Sequence, residues 1–403
     1  MKILAITPYL VWPPEHGGKI RSHHLLSALL GEHDVTLVSA LGPADEPRHA
    51  EILEAQGFRV LGVSLAPEFG RLSTRARLRK LLHLLLGRSS LLGRYRSREM
   101  TALIRREIEK TCDLVILDHL WLLDLLPREL PCPLVYSSHN VESRVLEDRA
   151  RTRTQPLERM LAEMEARRLR TAEARLVGRS RCVVATSQED ASELRRLGGD
   201  TPVEVIPNCV PLTERPLLPP PSFDPPRMLF VGGYDYPPNA EAARILAGEV
   251  LPLVRRRRPD AELHLVGRDP EGRLGELPPR EGVFIHGHVE DLRPHYERAS
   301  AVVAPITFGG GSRIKMLEAF AYGRPVVCTR ACAAGLGLVP GKHYLRGEIP
   351  ATLADAFLRL AEDRKTQRNL IEACRKRVEE HHDPEVLARR FRGIIASAVE
   401  NGA

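Results

Sequence analysis

The 403-residue chain is short of the features that mark several classes of protein. Its seven cysteines are an odd number without a Cys-x-x-Cys pair, which argues against a disulfide framework and a cysteine-based zinc site. No run approaches the roughly 18 uncharged apolar residues of a membrane-spanning helix. Aromatic residues make up only 5%, and no basic stretch is interleaved with them, which argues against a platform for single-stranded nucleic acid. We therefore expect a cytoplasmic globular protein with reduced, mostly buried cysteines.

The charge balance is only weakly one-sided. Lysine and arginine number 59 against 52 aspartates and glutamates, a net charge of +7, which favours anionic ligands without selecting among them. No helix-turn-helix, zinc or RNA-binding signature accompanies this charge, so no nucleic-acid partner is expected. The N-terminus has the pattern of a strand followed by Pro13-Pro14, and it lacks the cleavage site of a signal peptide.

Short apolar segments alternate with helical patterns along the chain, which predicts an α/β fold of parallel sheets covered by helices on both faces. The predicted strands are 3–6, 34–40, 59–65, 114–117, 134–137, 182–186, 228–231, 262–266, 283–286, 301–305 and 325–328. A proline-rich linker, 208–226, interrupts the alternation. It separates two predicted Rossmann-like, doubly wound domains, 1–207 and 227–383. A final helical segment, 384–403, is long enough to pack back on the first domain, which the sequence leaves open.

Residues of unusual chemistry follow the predicted strands. They are Gly17 and Gly18 after the first strand, His119 after the fourth, His139 after the fifth, and the glycine-rich stretch 308–312 in the second half. Open α/β sheets bind ligands beyond the carboxyl ends of their strands. We therefore expect two domains that face each other across a cleft and hold a two-part ligand.

The most informative stretch, 305–327, has the pattern strand, glycine-rich turn, helix, strand. Three glycines and Ser312 would open the helix, where free backbone N–H groups and the positive end of the helix dipole suit a diphosphate. Lys315 and Glu318 follow Ser312 on one side of the helix, so they offer a cation to phosphate and a carboxylate to hydroxyl groups. The predicted ligand is a nucleoside diphosphate. The alternative is an ordinary exposed Lys315–Glu318 ion pair, worth about 0.2–0.5 kcal/mol.

Five motifs occur in order along the chain. They are Gly17-Gly18, Ser138-His139-Asn140, Val205-Ile206-Pro207-Asn208, the stretch 230–239, and the segment 310–319 that contains Lys315 and Glu318. This set resembles the family 4 glycosyltransferases, also called glycosyl transferases group 1, over nearly the whole chain. The resemblance implies the GT-B fold and a retaining transfer of sugar from a nucleoside-diphosphate sugar. It also implies a glycan or lipid-linked acceptor.

The resemblance assigns roles to individual residues. The donor-binding residues that it implies are Gly17, Gly18, Gly310, Gly311, Ser312, Arg313, Lys315 and Glu318. Glu318 would accept hydrogen bonds from the ribose hydroxyls, and Lys315 would neutralise the leaving diphosphate. The implied catalytic residues are these two and His139, which would contact the donor sugar near its reacting carbon. Preorganised amides and cations facing the diphosphate are a direct source of rate.

Two departures from the family pattern keep other functions open. Gly310 stands where many relatives have a glutamate, and the stretch 233–237 supplies neither the arginine nor the lysine that many relatives have after the first strand of the second domain. A catalytically degenerate transferase that acts as a binding subunit is therefore one alternative. The other is a nucleotide-sugar epimerase of the same fold, which would need acid/base carboxylates that the sequence does not assign.

No metal or other cofactor is expected. The cleft motifs contain no Asp-x-Asp type of carboxylate pair that would hold magnesium against a diphosphate, and Asp45, Asp113 and Asp118 stand apart in the sequence.

The segment 71–98 is basic and leucine-rich and contains no acidic residue. Such a segment suits the surface of an anionic membrane, where each cation contributes on the order of 1 kcal/mol. A helix that packs its leucines in the core and solvates its arginines has the same pattern. Peripheral binding at the inner face of the cytoplasmic membrane and ordinary core packing are therefore the two interpretations.

Overall fold

The protein forms two compact α/β units in a computed structural model. The structure describes residues 1–14, 17–42, 45, 47–65, 89–110, 112–151, 155–269, 272–275, 277, 281–308 and 314–400. Unit 1 comprises the described residues of 1–208 together with 387–400, and unit 2 comprises those of 209–308 and 314–386.

Unit 1 is built on a seven-stranded sheet in which neighbouring strands run parallel. Its strands are β1 Lys2–Thr7, β2 Asp34–Leu41, β3 Arg59–Ser64, β4 Leu114–Asp118, β5 Leu134–Ser137, β6 Cys182–Ala185 and β7 Val203–Val205. The order across the sheet is β3-β2-β1-β4-β5-β6-β7, so the direction of winding reverses between β1 and β4. Ligands bind beyond the carboxyl ends of the strands at such a reversal.

The helices of unit 1 begin after these strands. They are α1 Gly17–Ser27, α2 Pro47–Ala55, α3 Arg98–Glu109, α4 Glu142–Arg151, α5 Pro156–Arg179 and α6 Gln188–Gly198. Serine caps two of them, because Ser97 Oγ accepts from Met100 N at the start of α3 and Ser187 Oγ accepts from Asp190 N at the start of α6. Every residue of β4 and β5 is buried, as is typical of central parallel strands covered on both faces.

Unit 2 has a six-stranded parallel sheet of order β10-β9-β8-β11-β12-β13. Its strands are β8 Arg227–Val231, β9 Glu262–Val266, β10 Val283–Gly287, β11 Ala301–Ala304, β12 Val326–Cys328 and β13 Leu345–Arg346. Its helices are α7 Pro237–Ile245, α8 Leu251–Arg255, α9 Arg293–Arg298, α10 Ile314–Ala321, α11 Arg330–Ala333, α12 Pro350–Glu362 and α13 Arg364–His381. A π-helical turn, Leu246–Val250, joins α7 to α8. Ile314, Leu317 and Phe320 form a buried stripe of α10.

The last helix, α14 Pro384–Glu400, clusters with unit 1 from Leu387 onward. Within that unit, Arg390 Nη2 donates to Val205 O at 2.8 Å, and Arg392 Nη1 donates to Ala28 O at 3.1 Å.

The predicted fold class is confirmed, and each of the eleven predicted strands is present to within one residue at either end. The strands β7 and β13 are not predicted, because three and two residues are too few for a periodic pattern to show. The stretch 208–226 contains neither helix nor strand.

The basic segment 71–98 is only partly described, since residues 71–88 lie outside the described ranges. In the remainder, Leu92 and Tyr95 are buried. Glu165 Oε1 of α5 accepts from Ser89 Oγ at 2.6 Å and from Leu91 N at 3.0 Å. The described end of the segment is therefore packed in the core of unit 1. Among the described helices, none has the length and apolar character needed to cross a membrane.

Candidate active site

A buried Asp–His pair lies at the carboxyl edge of the unit 1 sheet. Asp118 ends β4 and His139 follows β5, and His139 Nε2 donates to Asp118 Oδ1 at 2.7 Å. Ser22 of α1 donates to the other carboxylate oxygen, Oδ2, at 2.6 Å. Because a carboxylate only accepts hydrogen bonds, His139 carries a proton on Nε2. Strands β4 and β5 and helix α1 thus orient one imidazole.

The pKa of Asp118 lies well below its ordinary value. Burial alone would raise this pKa, but the charge of His139 and its hydrogen bond, with smaller contributions from His119 and Ser22, outweigh the burial. Asp118 is therefore ionised at neutral pH and gives the imidazole of His139 a fixed negative partner. In the sequence Asp118 stands apart from other acidic residues, so it forms no carboxylate pair there. In the structure its hydrogen-bond partner is the histidine His139.

His119 is the only residue other than glycine with a positive φ, 100°, in the described part of the chain. Such a conformation costs on the order of 1–3 kcal/mol and is kept where the surroundings determine it. Its ring stacks on those of His139 and Trp121, with centroids 3.9 and 5.2 Å apart, and its Nε2 lies 3.0 Å from the Tyr9 hydroxyl. The strain at this strand end indicates a functional site.

Asp118, His119 and His139 are the one cluster of metal-ligand type among the described residues. The two imidazole planes are within 14° of parallel, with centroids 3.9 Å apart. A metal ion lies about 2 Å from its imidazole nitrogen, and it lies in the plane of that ring, so one ion would not fit both stacked rings. The arrangement fits a hydrogen-bonded pair better than a metal centre.

Gly17 and Gly18, which the resemblance assigns to donor binding, form the first turn of α1. Ser22 Oγ lies 2.9 Å from Gly18 O, one turn further along the same helix. The start of α1 therefore brings the glycine pair and the Asp118 partner Ser22 to the same edge of the sheet.

Lys315 lies at the carboxyl edge of the unit 2 sheet. Its Nζ donates to Asn239 Oδ1 at 2.6 Å and lies 4.4 Å from the centroid of the Phe230 ring. Asn239 Nδ2 donates in turn to Gly233 O at 2.8 Å, which fixes the orientation of the amide. A Cβ atom at Gly232 would lie 2.7 Å from Asn239 Nδ2 and 3.2 Å from Lys315 Nζ. The turn after β8, which carries no cation of its own, thus packs directly against the Lys315 ammonium group.

Gly267, directly after β9, approaches the same turn. Its φ is 139°, and a Cβ atom there would lie 2.0 Å from Gly232 O.

We expect Gly267→Ala to destabilise unit 2 by about 2–4 kcal/mol, because the backbone would have to move and this φ is unfavourable for alanine. Denaturant unfolding is the measurement. Gly272→Ala is the matched control, since Gly272 also has a positive φ, 65°, but no atom within 4 Å of the added Cβ. Equal stability of the two variants would contradict the prediction.

Glu318 is on the buried side of α10, with 6% of its surface exposed, so it is not part of an exposed surface pair. Its Oε1 accepts from Arg215 Nη2 at 3.0 Å and from Nε at 3.3 Å, and its Oε2 accepts from the Tyr296 hydroxyl at 3.4 Å. Burial raises the pKa of Glu318, and the charge and hydrogen bonds of Arg215 oppose that rise.

The remaining predicted donor-binding residues, Gly310, Gly311, Ser312 and Arg313, lie outside the described ranges. Their contacts with a diphosphate stay predictions.

Four side chains that contact the predicted site residues are not assigned to a site by the sequence analysis. They are Ser22 and Asp118 in unit 1, and Arg215 and Asn239 in unit 2. A signal exists for Asp118, because a charged residue that ends an apolar strand lies at the ligand-binding edge of a parallel sheet. No local sequence pattern predicts that Arg215 contacts Glu318, because the two residues are 103 positions apart.

Two family models match the chain. The one described as Glycosyltransferase Family 4 matches residues 17–214, and the one described as Glycosyl transferases group 1 matches residues 225–363. The Asp118–His139 pair lies in the first range, and Lys315 and Glu318 lie in the second. No match is found among curated proteins.

Solved structures resemble the chain over almost its whole length. Sucrose-phosphate synthase from Thermosynechococcus elongatus is 18% identical, with a TM-score of 0.68 over 98% of this chain and 100% of that one. Anabaena Alr3699/HepE in complex with UDP-glucose is 16% identical, with a TM-score of 0.65 over 98% and 100%. WaaG, a glycosyltransferase involved in lipopolysaccharide biosynthesis, is 14% identical, with a TM-score of 0.63 over 97% and 100%. These similarities establish the GT-B fold with two Rossmann-like domains.

Proposed function

The chain belongs to the family 4, group 1 glycosyltransferases, and on that basis we propose a retaining transfer of sugar from a nucleoside-diphosphate sugar. The proposed acceptor is a glycan or a lipid-linked glycan of cell-envelope or exopolysaccharide synthesis. The observation that carries the proposal is the buried carboxylate of Glu318, one turn from the Lys315 ammonium group on α10. Alr3699/HepE was solved with UDP and with UDP-glucose, which supports this class of donor.

Unit 2 is proposed to bind the nucleotide. Among the described residues Glu318 Oε2 accepts only from the Tyr296 hydroxyl, at 3.4 Å, and it would also accept from a ribose hydroxyl. Lys315 would exchange its hydrogen bond with Asn239 for one with a diphosphate oxygen, where an ammonium group acts as a point charge. The predicted amides of Gly310, Gly311 and Ser312 would add donors to the same phosphates.

The proposed transfer breaks the bond between the sugar's anomeric carbon and the phosphate oxygen, which leaves with the electron pair. The acceptor hydroxyl oxygen bonds to the anomeric carbon on the face that the phosphate leaves, and its proton passes to the departing phosphate oxygen. Negative charge thus grows on the diphosphate, where Lys315 neutralises it, so the proposal requires neither a metal nor another cofactor. His139 of unit 1, whose imidazole is hydrogen-bonded to Asp118, is proposed to contact the sugar near its reacting carbon.

Thermal unfolding with UDP, GDP, dTDP and ADP in turn tests the donor site. A nucleotide at 100 times its Kd adds about 2.7 kcal/mol to the stability of the state that binds it, which raises the midpoint by several degrees for a unit of this size. We expect one nucleotide to give the largest rise, with and without EDTA.

The outcomes of this experiment separate the candidate functions. A rise that EDTA abolishes would contradict the metal-free site, and no rise with any nucleotide would contradict the donor site. Incubation with the corresponding nucleotide-sugar follows. Release of the nucleotide with no change in the unreacted sugar supports transfer, an epimerised nucleotide-sugar supports the epimerase, and binding without turnover supports the degenerate binding subunit.

A further inference from the structure

We propose that Arg215 is a positioning residue of the donor site, which holds one oxygen of Glu318 and leaves the other for the ribose hydroxyls. The inference rests on the proposed function, because it assumes that Glu318 binds a nucleotide. It extends the donor site to the proline-rich stretch 208–226, which the sequence marks only as a linker.

The geometry of the ion pair is one-sided. Both hydrogen bonds from the Arg215 guanidinium to Glu318, from Nη2 at 3.0 Å and from Nε at 3.3 Å, go to Oε1, while Arg215 Nη1 donates to Glu214 Oε2 at 3.2 Å. In the part of the chain that the structure describes, Oε2 accepts only from the Tyr296 hydroxyl, at 3.4 Å. A carboxylate oxygen has two lone pairs, so Oε2 keeps acceptor capacity while Oε1 is held. A bidentate pair, by contrast, would have occupied both oxygens.

The ion pair is largely buried, so water screens the attraction between Arg215 and Glu318 less than it would at the surface. The side chain of Glu318 is 8% exposed and that of Arg215 is 16% exposed. At this burial an unpaired carboxyl group favours its neutral form, whereas a neighbouring cation favours the ionised form. Arg215 therefore favours the carboxylate form of Glu318, which accepts hydrogen bonds through both oxygens.

Arg215 is itself held in place by helix α13. Arg375 Nη1 donates to Arg215 O at 3.2 Å and to Ala321 O, the last residue of α10, at 2.7 Å. One guanidinium thus fastens the linker segment to the end of the helix that carries Glu318. The matched control is Arg227, which pairs with another carboxylate of unit 2, since Arg227 Nε lies 2.7 Å from Glu262 Oε2.

The test is nucleotide binding by isothermal titration calorimetry, with the nucleotide that stabilises the wild-type chain most. We expect Arg215→Met to weaken binding by about 10- to 100-fold. Arg215→Lys restores the charge and should lie within about fivefold of the wild type, and the control Arg227→Met should lie within about threefold. In steady-state assays Arg215→Met should raise the KM for the donor with less effect on kcat, since binding of the ribose is shared by the ground state and the transition state.

The pH dependence of binding distinguishes positioning from simple loss of structure. Among the described residues, the groups that interact electrostatically with the Glu318 carboxylate include Arg215, Tyr296 of α9, Tyr322 after α10, and Lys315 on α10 itself. Burial raises the pKa of both tyrosines, so they stay neutral in the acid range. Affinity falls at low pH as Glu318 protonates, and removal of Arg215 should move that fall to higher pH. The phosphate titrates alike in every variant, so the difference between variants is the readout.

Each outcome has a meaning. Weak binding by Arg215→Met with the displaced pH profile, and rescue by lysine, supports the role. Equal or tighter binding by Arg215→Met overturns it, since the ion pair would then compete with the ribose. Equal weakening of binding in Arg227→Met, without a displaced pH profile, also overturns it, because that result would show a general structural effect. If the wild-type chain binds no nucleotide, the proposed function itself fails, and the Arg215 variants are not needed to show it. Circular dichroism of each variant checks folding, and Arg215→Lys decides should Arg215→Met not fold.

Discussion

Replacing Glu318 by glutamine is expected to weaken nucleotide binding by roughly 30- to 1,000-fold, a loss of about 2–4 kcal/mol. The amide keeps the shape of the side chain and one oxygen, which Arg215 Nη2, now at 3.0 Å from Oε1, would continue to hold. The second oxygen becomes an NH₂ group, which cannot accept a hydrogen bond from ribose. Calorimetry with the preferred nucleotide measures the change.

A second carboxylate of unit 2 provides the control for this substitution. Glu262 of β9 is also paired with an arginine, because Arg227 Nε donates to its Oε2 at 2.7 Å. Glu262→Gln should bind nucleotide within about twofold of the wild type, while both glutamine variants keep their secondary structure. If Glu318→Gln bound nucleotide as tightly as Glu262→Gln does, the carboxylate would have no part in the donor site.

Replacing Asp118 by asparagine is expected to lower kcat by about 10²-fold, near the lower end of what a positioned polar group contributes to catalysis. The substitution keeps an oxygen near His139 Nε2, now 2.7 Å from the carboxylate, but removes the negative charge that strengthens this hydrogen bond and fixes the orientation of the imidazole. Because unit 2 is untouched, the Kd of the nucleotide should stay within about twofold. Steady-state kinetics and calorimetry on the same preparation measure both quantities.

Asp113→Asn is the matched control, because Asp113 directly precedes the same strand, β4, at its opposite end. Asp113 Oδ2 accepts from Lys2 N at 2.7 Å, so its loss tests the effect of one carboxylate on the sheet without touching His139. Equal losses of kcat in the two variants would show that Asp118 acts through the fold of unit 1. A large loss of nucleotide affinity in Asp118→Asn would contradict the separation of roles between the two units.

The parts of this molecule that the sequence predicts are those that leave a local pattern. Eleven strands show as apolar runs, and the spacing of Lys315 and Glu318 places both on one helix, as the structure has them. Patterns of this kind depend on neighbours within one or two turns. The burial of Glu318 does not depend on such near neighbours, because it is set by which distant segment of the chain covers the helix.

The residues that contact Glu318 and Asp118 come from distant parts of the chain. Arg215 lies 103 residues before Glu318, and Ser22 lies 96 residues before Asp118. Charge and hydrogen-bonding capacity are visible in the sequence, but the choice between several arginines and several acids is made by the packing of sheets and helices. The linker illustrates this well, since its prolines predict a spacer and give no hint of the ion pair that one of its residues makes.

The backbone of His119 limits how this site changes over generations. At φ 100° glycine is free of strain, whereas any other residue meets the cost that histidine now bears. A lineage that no longer needs the imidazole would find glycine the easiest replacement, and an alanine or leucine there would lose the ring and keep the strain. Related sequences are therefore expected to carry either histidine or glycine at this position. A glycine would indicate that the imidazole ring is no longer under selection.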